Sequence, residues 1–290
     1  MCKLAEGVDV QAGAEPGWVT SRRRVRAAAA GLLVVAGVAG CGGGEAGPPP
    51  APEVVDLVVD GEPATAVVPP GTPRGLVLYL HGLNGDHTAL ANGDQAGVVE
   101  RLVDDGYVVA AADAHRNAFG NEASQQSYVT LAQELADRYG TPRTFLIAES
   151  MGAVAGLKLV AADAIPDLAG AALISPLTDL AVTVGSEFEP QVRQAYGGEL
   201  PTGAENPADL PAEEFAGEHL RFYLAADDDF VVSAQNADPL IARLEGVAEV
   251  SVVGCQGGHV DASCFQPDDL ATWFDGLAGG TTGAGRPSAD

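Results

Sequence analysis

Short apolar runs alternate along this chain with longer stretches of helical spacing. Residues 54–59 and 64–68 read as two strands joined by the turn Asp60-Gly61, and 76–80, 107–112, 144–148 and 169–174 as four more. Further runs at 219–226 and 248–253 follow, and the spacing between runs predicts helices over 88–104, 124–139, 152–162, 234–244 and 268–277. This alternation is the pattern of an α/β domain built on a largely parallel sheet, with the first two strands at an antiparallel edge. From 175 to 218 the pattern loosens. Pro176, Pro190, Pro201, Pro207 and Pro211 interrupt one short helical piece at 191–196. Proline removes a backbone donor, and so short a stretch is too small for a second domain, so 176–218 is expected to form a modest lid.

The two ends carry a different pattern. Arg22, Arg23, Arg24 and Arg26 precede an uncharged run at 27–39, which is too short to span a bilayer and ends in Val38-Ala39-Gly40-Cys41. This segment resembles the lipobox of bacterial lipoproteins, which implies an export signal over 1–40, cleavage before Cys41 and a lipid on its sulfur. An ordinary secretory signal with an incidental cysteine is the plainer alternative. Ser21-Arg22-Arg23 also resembles a twin-arginine signal, but Arg24-Val25-Arg26 follows it in place of bulkier apolar residues, so both export routes stay open. The first twenty residues look like neither signal nor domain, as a start codon assigned too early would produce. Gly42-Gly43-Gly44 and the prolines at 48–50 and 52 make 41–53 a flexible, then stiffened tether. The Gly- and Thr-rich 279–290 is expected to be a disordered tail, which leaves 54–278 as the folded domain.

Charge narrows the partners. The chain carries 15 Lys and Arg against 40 Asp and Glu, a formal charge of −25; without the first forty residues, which hold five basic and three acidic groups, the balance is −27. Such a surface repels nucleic acid and anionic lipid, so contact with a membrane is expected through the anchor at Cys41 alone. General solubility of an exported protein accounts for the acidity. Oligomeric state is not legible.

Candidate chemistry centres on Phe145-Leu146-Ile147-Ala148-Glu149-Ser150-Met151-Gly152. An apolar strand ends there in a small-x-Ser-x-Gly turn and passes into an Ala-rich helix, the setting that lifts a serine hydroxyl above a sheet edge. Ala148 stands where glycine is commonest. Glu149 either places a negative charge near the nucleophile or packs on the helix side. A serine nucleophile needs a base, and the base needs a carboxylate to fix its tautomer. His259 follows the last strand in Gly257-Gly258-His259-Val260-Asp261 and suits the base. His81, His87, His115 and His219 are less well placed. The carboxylate comes from Asp227-Asp228-Asp229, directly after a strand; mutual repulsion should turn only one into the site, and Asp229 is assigned. Asp228, three residues before Val231, is the competing register. Cys255 and Cys264 flank the histidine loop and are expected to pair in an oxidising compartment. No spaced His and Cys set, calcium-type oxygen spacing or Gly-rich phosphate loop occurs, so no metal or organic cofactor is expected.

The order Ser150, Asp229, His259 and the Asp-x-x-Val-like segment from Asp229 resemble the α/β-hydrolase superfamily, of the exported lipase, esterase or prolyl-oligopeptidase-like kind, over nearly all of 57–277. The resemblance implies an α/β-hydrolase fold in which His81-Gly82 opens an oxyanion loop, with the N–H groups of Leu83 and Met151 as donors. Together with the lipobox resemblance at Cys41, it implies a lipid-anchored serine hydrolase outside the cytoplasmic membrane, cleaving a small or medium carboxylic ester through an acyl-enzyme. Three alternatives stand beside that expectation. Asn206-Pro207 resembles prolyl-oligopeptidase-like catalytic domains, though no propeller precedes this one; acyl transfer to an envelope glycolipid would use the same triad; and a binding lipoprotein could use the fold without catalysis.

Overall fold

The computed structural model describes residues 50–279. The expected export signal, Cys41, most of the tether and the tail from 280 onward lie outside the described residues. Eight strands form one sheet: β1 Glu53–Val59, β2 Glu62–Val68, β3 Gly75–Leu80, β4 Tyr107–Ala112, β5 Thr144–Glu149, β6 Leu168–Ile174, β7 His219–Ala225 and β8 Glu249–Cys255. Their spatial order is β1-β2-β4-β3-β5-β6-β7-β8. β1 and β2 pair antiparallel, β2 meets β4 antiparallel, and every later pairing is parallel. The tight turn at Asp60 and Gly61, with φ of 51° and 86°, closes the leading hairpin as the sequence suggested.

All six residues of β3 and all six of β4 are buried, which requires cover on both faces of the sheet. The helices supplying it are α1 Gly93–Asp104, α2 Glu122–Tyr139, α3 Gly152–Ala161, α5 Ala237–Leu244 and α6 Pro267–Gly279, while the short α4 Glu189–Ala195 lies in the lid. Alternation along β3 divides its side chains. Leu76, Leu78 and Leu80 join the core that contains Leu131 and Leu135 of α2, Leu157 of α3 and Leu240 of α5. Val77 and Tyr79 join the opposite core, with Val98 and Leu102 of α1 and Leu270 and Phe274 of α6. Burying each such side chain stabilises the fold by about 1.5–3 kcal/mol.

Several expected helix boundaries shift, among them the start of α5, which lies at Ala237 after a 3-10 turn over Ser233–Gln235. The helix predicted over 88–104 is a 3-10 turn at His87–Ala91 followed by α1, because Asn92 is extended (ψ 142°) and Gly93 takes a left-handed φ of 46°. α2 starts at Glu122, two residues earlier than expected, because the Asn121 side chain accepts from the Ser124 N–H at 3.0 Å and caps it.

The segment expected to form a lid, 176–218, is pinned rather than loose. The buried Asn206 side chain accepts from Leu180 N–H at 2.9 Å and donates to Asp179 at 2.9 Å. Asn236, also buried, accepts from the N–H groups of Thr178 and Asp179. Asn206, which the sequence suggested as a peptidase-like feature, thus organises the lid base. Leu80 pairs with Ala148 in the register of β3 and β5, so the C-terminal ends of these strands lie side by side. β4 stands on one side of β3 and β5 on the other, which makes this the point where an open α/β sheet holds its ligand.

Candidate active site

Ser150 leaves β5 with φ of 48°, a left-handed conformation that costs a non-glycine residue about 1–2 kcal/mol. Its backbone is over-determined: Ser150 N–H donates to Ile174 O at 2.9 Å, while Leu177 and Ala153 donate to Ser150 O at 3.1 Å each. The sharpness of the turn depends on Gly152. A Cβ there would run into the Leu80 carbonyl and stand 2.8 Å from that of His81, so only glycine lets α3 begin against the end of β3. Ala148, the departure from the commonest motif, is fully buried and faces Gly156 of α3, where a Cβ would lie 3.0 Å from the alanine methyl. Space missing on the strand side is supplied by a glycine on the helix side.

The Ser150 Oγ lies 2.8 Å from His259 Nε2, and His259 Nδ1 lies 2.8 Å from Asp228 Oδ2. Asp228, not Asp229, is therefore the carboxylate at the histidine, and the assignment of Asp229 is corrected. The physical reason is the turn. Asp228 Oδ1 accepts from the N–H groups of Phe230 at 3.0 Å and Val231 at 2.8 Å, which turns Oδ2 inward and leaves Asp229 exposed. The Asp228 side chain is only 4 % exposed and that of His259 18 %, so the pair is screened from solvent while the imidazole edge stays reachable.

Leu83 and Met151 sit where the sequence placed them, after β3 and after the serine. Among the described residues neither uses its N–H in a backbone hydrogen bond, which leaves both donors for a developing oxyanion. Glu149 lines the same small cavity as Gly82 and Leu83. Its carboxylate lies under Gly82 and accepts from the Tyr79 hydroxyl and, at 3.0 Å, from Gln95. Burial first, and then the Glu149 charge, push the Tyr79 phenol well above its ordinary pKa, so Tyr79 stays a proton donor to that carboxylate.

The loop after β3 has a second support that sequence reasoning missed. The segment after β4 holds Ala114, His115 and Arg116 at φ of 42°, 64° and 59°. It delivers Asn117, which accepts from Asn84 N–H at 2.8 Å and donates to Asn84 Oδ1 at 3.0 Å and to Gln191 of α4 at 3.1 Å. Asp113 accepts from both the backbone N–H (3.0 Å) and ring (2.6 Å) of His87, and Arg116 bridges Asp86 at 3.0 Å and Asp113 at 3.3 Å. Burial raises the Asp113 carboxyl, but the His87 bonds and Arg116 outweigh it and hold it below the usual range. Asp86, His87 and Asp113 lie close enough to share an ion. Arg116 pairs with both carboxylates and His87 with Asp113, so these contacts brace the segment after β4 against the loop after β3. Nothing in the residue pattern signals them beyond the density of polar residues from 113 to 121.

Cys255 at the end of β8 and Cys264 form a disulfide, with Cα atoms 5.1 Å apart, around the loop that carries His259. Val260 in this loop has a left-handed φ of 55°, rare for a β-branched residue, and its N–H donates to Ser175 Oγ at 3.1 Å. The bond closes a short loop and should contribute about 2–3 kcal/mol. Cys255→Ser combined with Cys264→Ser is expected to lower the melting temperature and to reduce labelling of Ser150 by a fluorophosphonate at temperatures where the fold persists. Unchanged labelling, with the bond verified absent, would show that the loop holds His259 without it.

The model of the family described as Hydrolase_4: Serine aminopeptidase, S33 matches residues 71–249. Comparison with curated proteins gives no match. Among solved structures, an esterase/lipase from an uncultured bacterium superposes with a TM-score of 0.61 at 17 % identity, covering 79 % of this chain and 86 % of its own. The esterase domain of a Rhodothermus marinus protein gives 0.56 at 17 % identity, covering 79 % and 99 %. Carboxyl esterase 2 from the mycorrhizal fungus Tuber melanosporum gives 0.57 at 16 % identity, covering 81 % and 86 %. At such identities the likeness carries the fold, and the match over well over half the sequence carries the family. The chain therefore belongs to the S33 serine aminopeptidase-like hydrolase family, within the α/β-hydrolase superfamily.

Proposed function

We propose that this protein is a serine hydrolase that cleaves carboxylic esters through an acyl-enzyme. One observation carries the reading, the unbroken hydrogen-bonded chain Ser150–His259–Asp228 beside two unused backbone donors. His259 Nε2 takes the Ser150 proton as Oγ bonds to the acyl carbon, and Asp228 holds the tautomer and stabilises the imidazolium. The N–H groups of Leu83 and Met151 meet the oxyanion. The proton then passes to the leaving oxygen as its bond to carbon breaks, and a water activated by the same imidazole releases the acid. Esterase descriptions among the structural neighbours support the ester class. The family description favours a second reading, removal of N-terminal amino acids from peptides.

Location follows from sequence alone. The basic cluster, the short apolar run and Cys41 support export and a lipid anchor, with the acidic body standing in solution on its tether. Cys41→Ala is expected to shift the protein from the membrane fraction to the soluble one, and an unchanged distribution would contradict the anchor.

For the chemistry, Ser150→Ala should abolish both fluorophosphonate labelling and hydrolysis of p-nitrophenyl esters. Asp228→Asn should lower kcat by about 10³–10⁴-fold by upsetting the histidine tautomer, while Asp229→Asn should stay near wild type. Equal losses in the two Asp variants would overturn the triad assignment. Turnover of aminoacyl-p-nitroanilides in preference to esters would move the assignment to peptide hydrolysis.

A further inference from the structure

Two aromatic side chains at the mouth of the site have no part in the chemistry above. Phe230 is 51 % exposed. Its ring centroid lies 4.9 Å from the His259 ring, inclined at 38°, and 4.9 Å from Phe188, inclined at 71°. The other large exposed apolar residues described are Val54 and Val58 on β1 and Val252 on β8, which flank the sheet edges, and Val184 in the lid segment that also holds Phe188. An edge strand accounts for the first three, whereas Phe230 stands out of the core beside the imidazole.

Its placement is fixed by the same carboxylate that fixes the base. Asp228 Oδ1 accepts the Phe230 N–H at 3.0 Å while Oδ2 faces His259 Nδ1 at 2.8 Å. Phe188 is held in turn, because its N–H donates to Ser186 Oγ at 3.2 Å and its carbonyl accepts from Gln191 and Val192 at 3.0 Å each. The two rings therefore make an apolar strip from the lid to the imidazole, and the strip is in register with His259.

The side of the reaction it serves follows from proton transfer. His259 Nε2 gives its proton to the leaving oxygen as the acyl carbon to oxygen bond breaks, so the alcohol portion of the ester must lie against the imidazole. We propose that Phe230 and Phe188 form the alcohol-side subsite and that the substrates are esters of bulky, uncharged apolar alcohols, aromatic or alicyclic, whose ring packs on the Phe230 face. This rests on the ester-hydrolase reading. The formal charge of −25 acts in the same direction, since it disfavours an anionic alcohol portion.

The test uses the full chain and acetates that differ only in alcohol: methyl, ethyl, benzyl and naphthylmethyl. The wild type is expected to favour benzyl and naphthylmethyl acetate over methyl acetate by more than about tenfold in kcat/KM, mainly through KM, the size that one or two apolar contacts supply. Phe230→Ala should cut that ratio about tenfold, Phe188→Ala less, and Phe230→Leu should retain part of it. A purely structural role would depress all acetates together and leave the ratio intact, which would overturn the proposal, as would a wild type indifferent to the alcohol. Absence of turnover on every acetate by the wild type would instead sink the ester reading beneath it.

Discussion

The site depends on one close approach. α3 begins against the carbonyl ends of β3, and at Gly152 no side-chain atom fits between them. That contact brings the serine turn and the oxyanion loop to the same sheet edge, and it forces the chain through Ser150 in a left-handed conformation. The local cost is met by β3, which is wholly buried, and β5, which is buried at every residue but Glu149. At the same strand-helix contact the Ala148 methyl occupies the space that the absence of a side chain at Gly156 leaves.

Around that fixed point, the other functional groups come from loops, and each loop is tied down by a polar side chain with two tasks. Asp228 uses one oxygen to shape its own turn and the other to hold His259. Asn117 couples the loop after β3 to α4. Glu149 sits beneath Gly82. Such groups pre-organise donors before any charge develops, which is what electrostatic stabilisation of an oxyanion requires.

Much of this was legible in the sequence. Strand positions followed from short apolar runs, because buried parallel strands leave few polar positions to confuse the pattern, and Ser150 and His259 followed from strand-end motifs. The carboxylate did not. Asp227, Asp228 and Asp229 are chemically equivalent in sequence, and the choice among them is made by which one can accept two backbone N–H groups at the start of its turn. Glu149 was ambiguous for a related reason: its partners Tyr79 and Gln95 lie 70 and 54 residues away, on other elements. The brace after β4 was invisible because three consecutive left-handed residues without glycine carry no compositional mark.

The central claim is that Ser150 is a covalent nucleophile. Its most direct test is rapid mixing with p-nitrophenyl acetate, acid quench and peptide mass spectrometry of the trapped enzyme. Close to one acetyl group per chain is expected, borne on the peptide containing Ser150 and accumulating before steady state. An acetyl group on another residue, or steady turnover with no serine ester at any time, would contradict it.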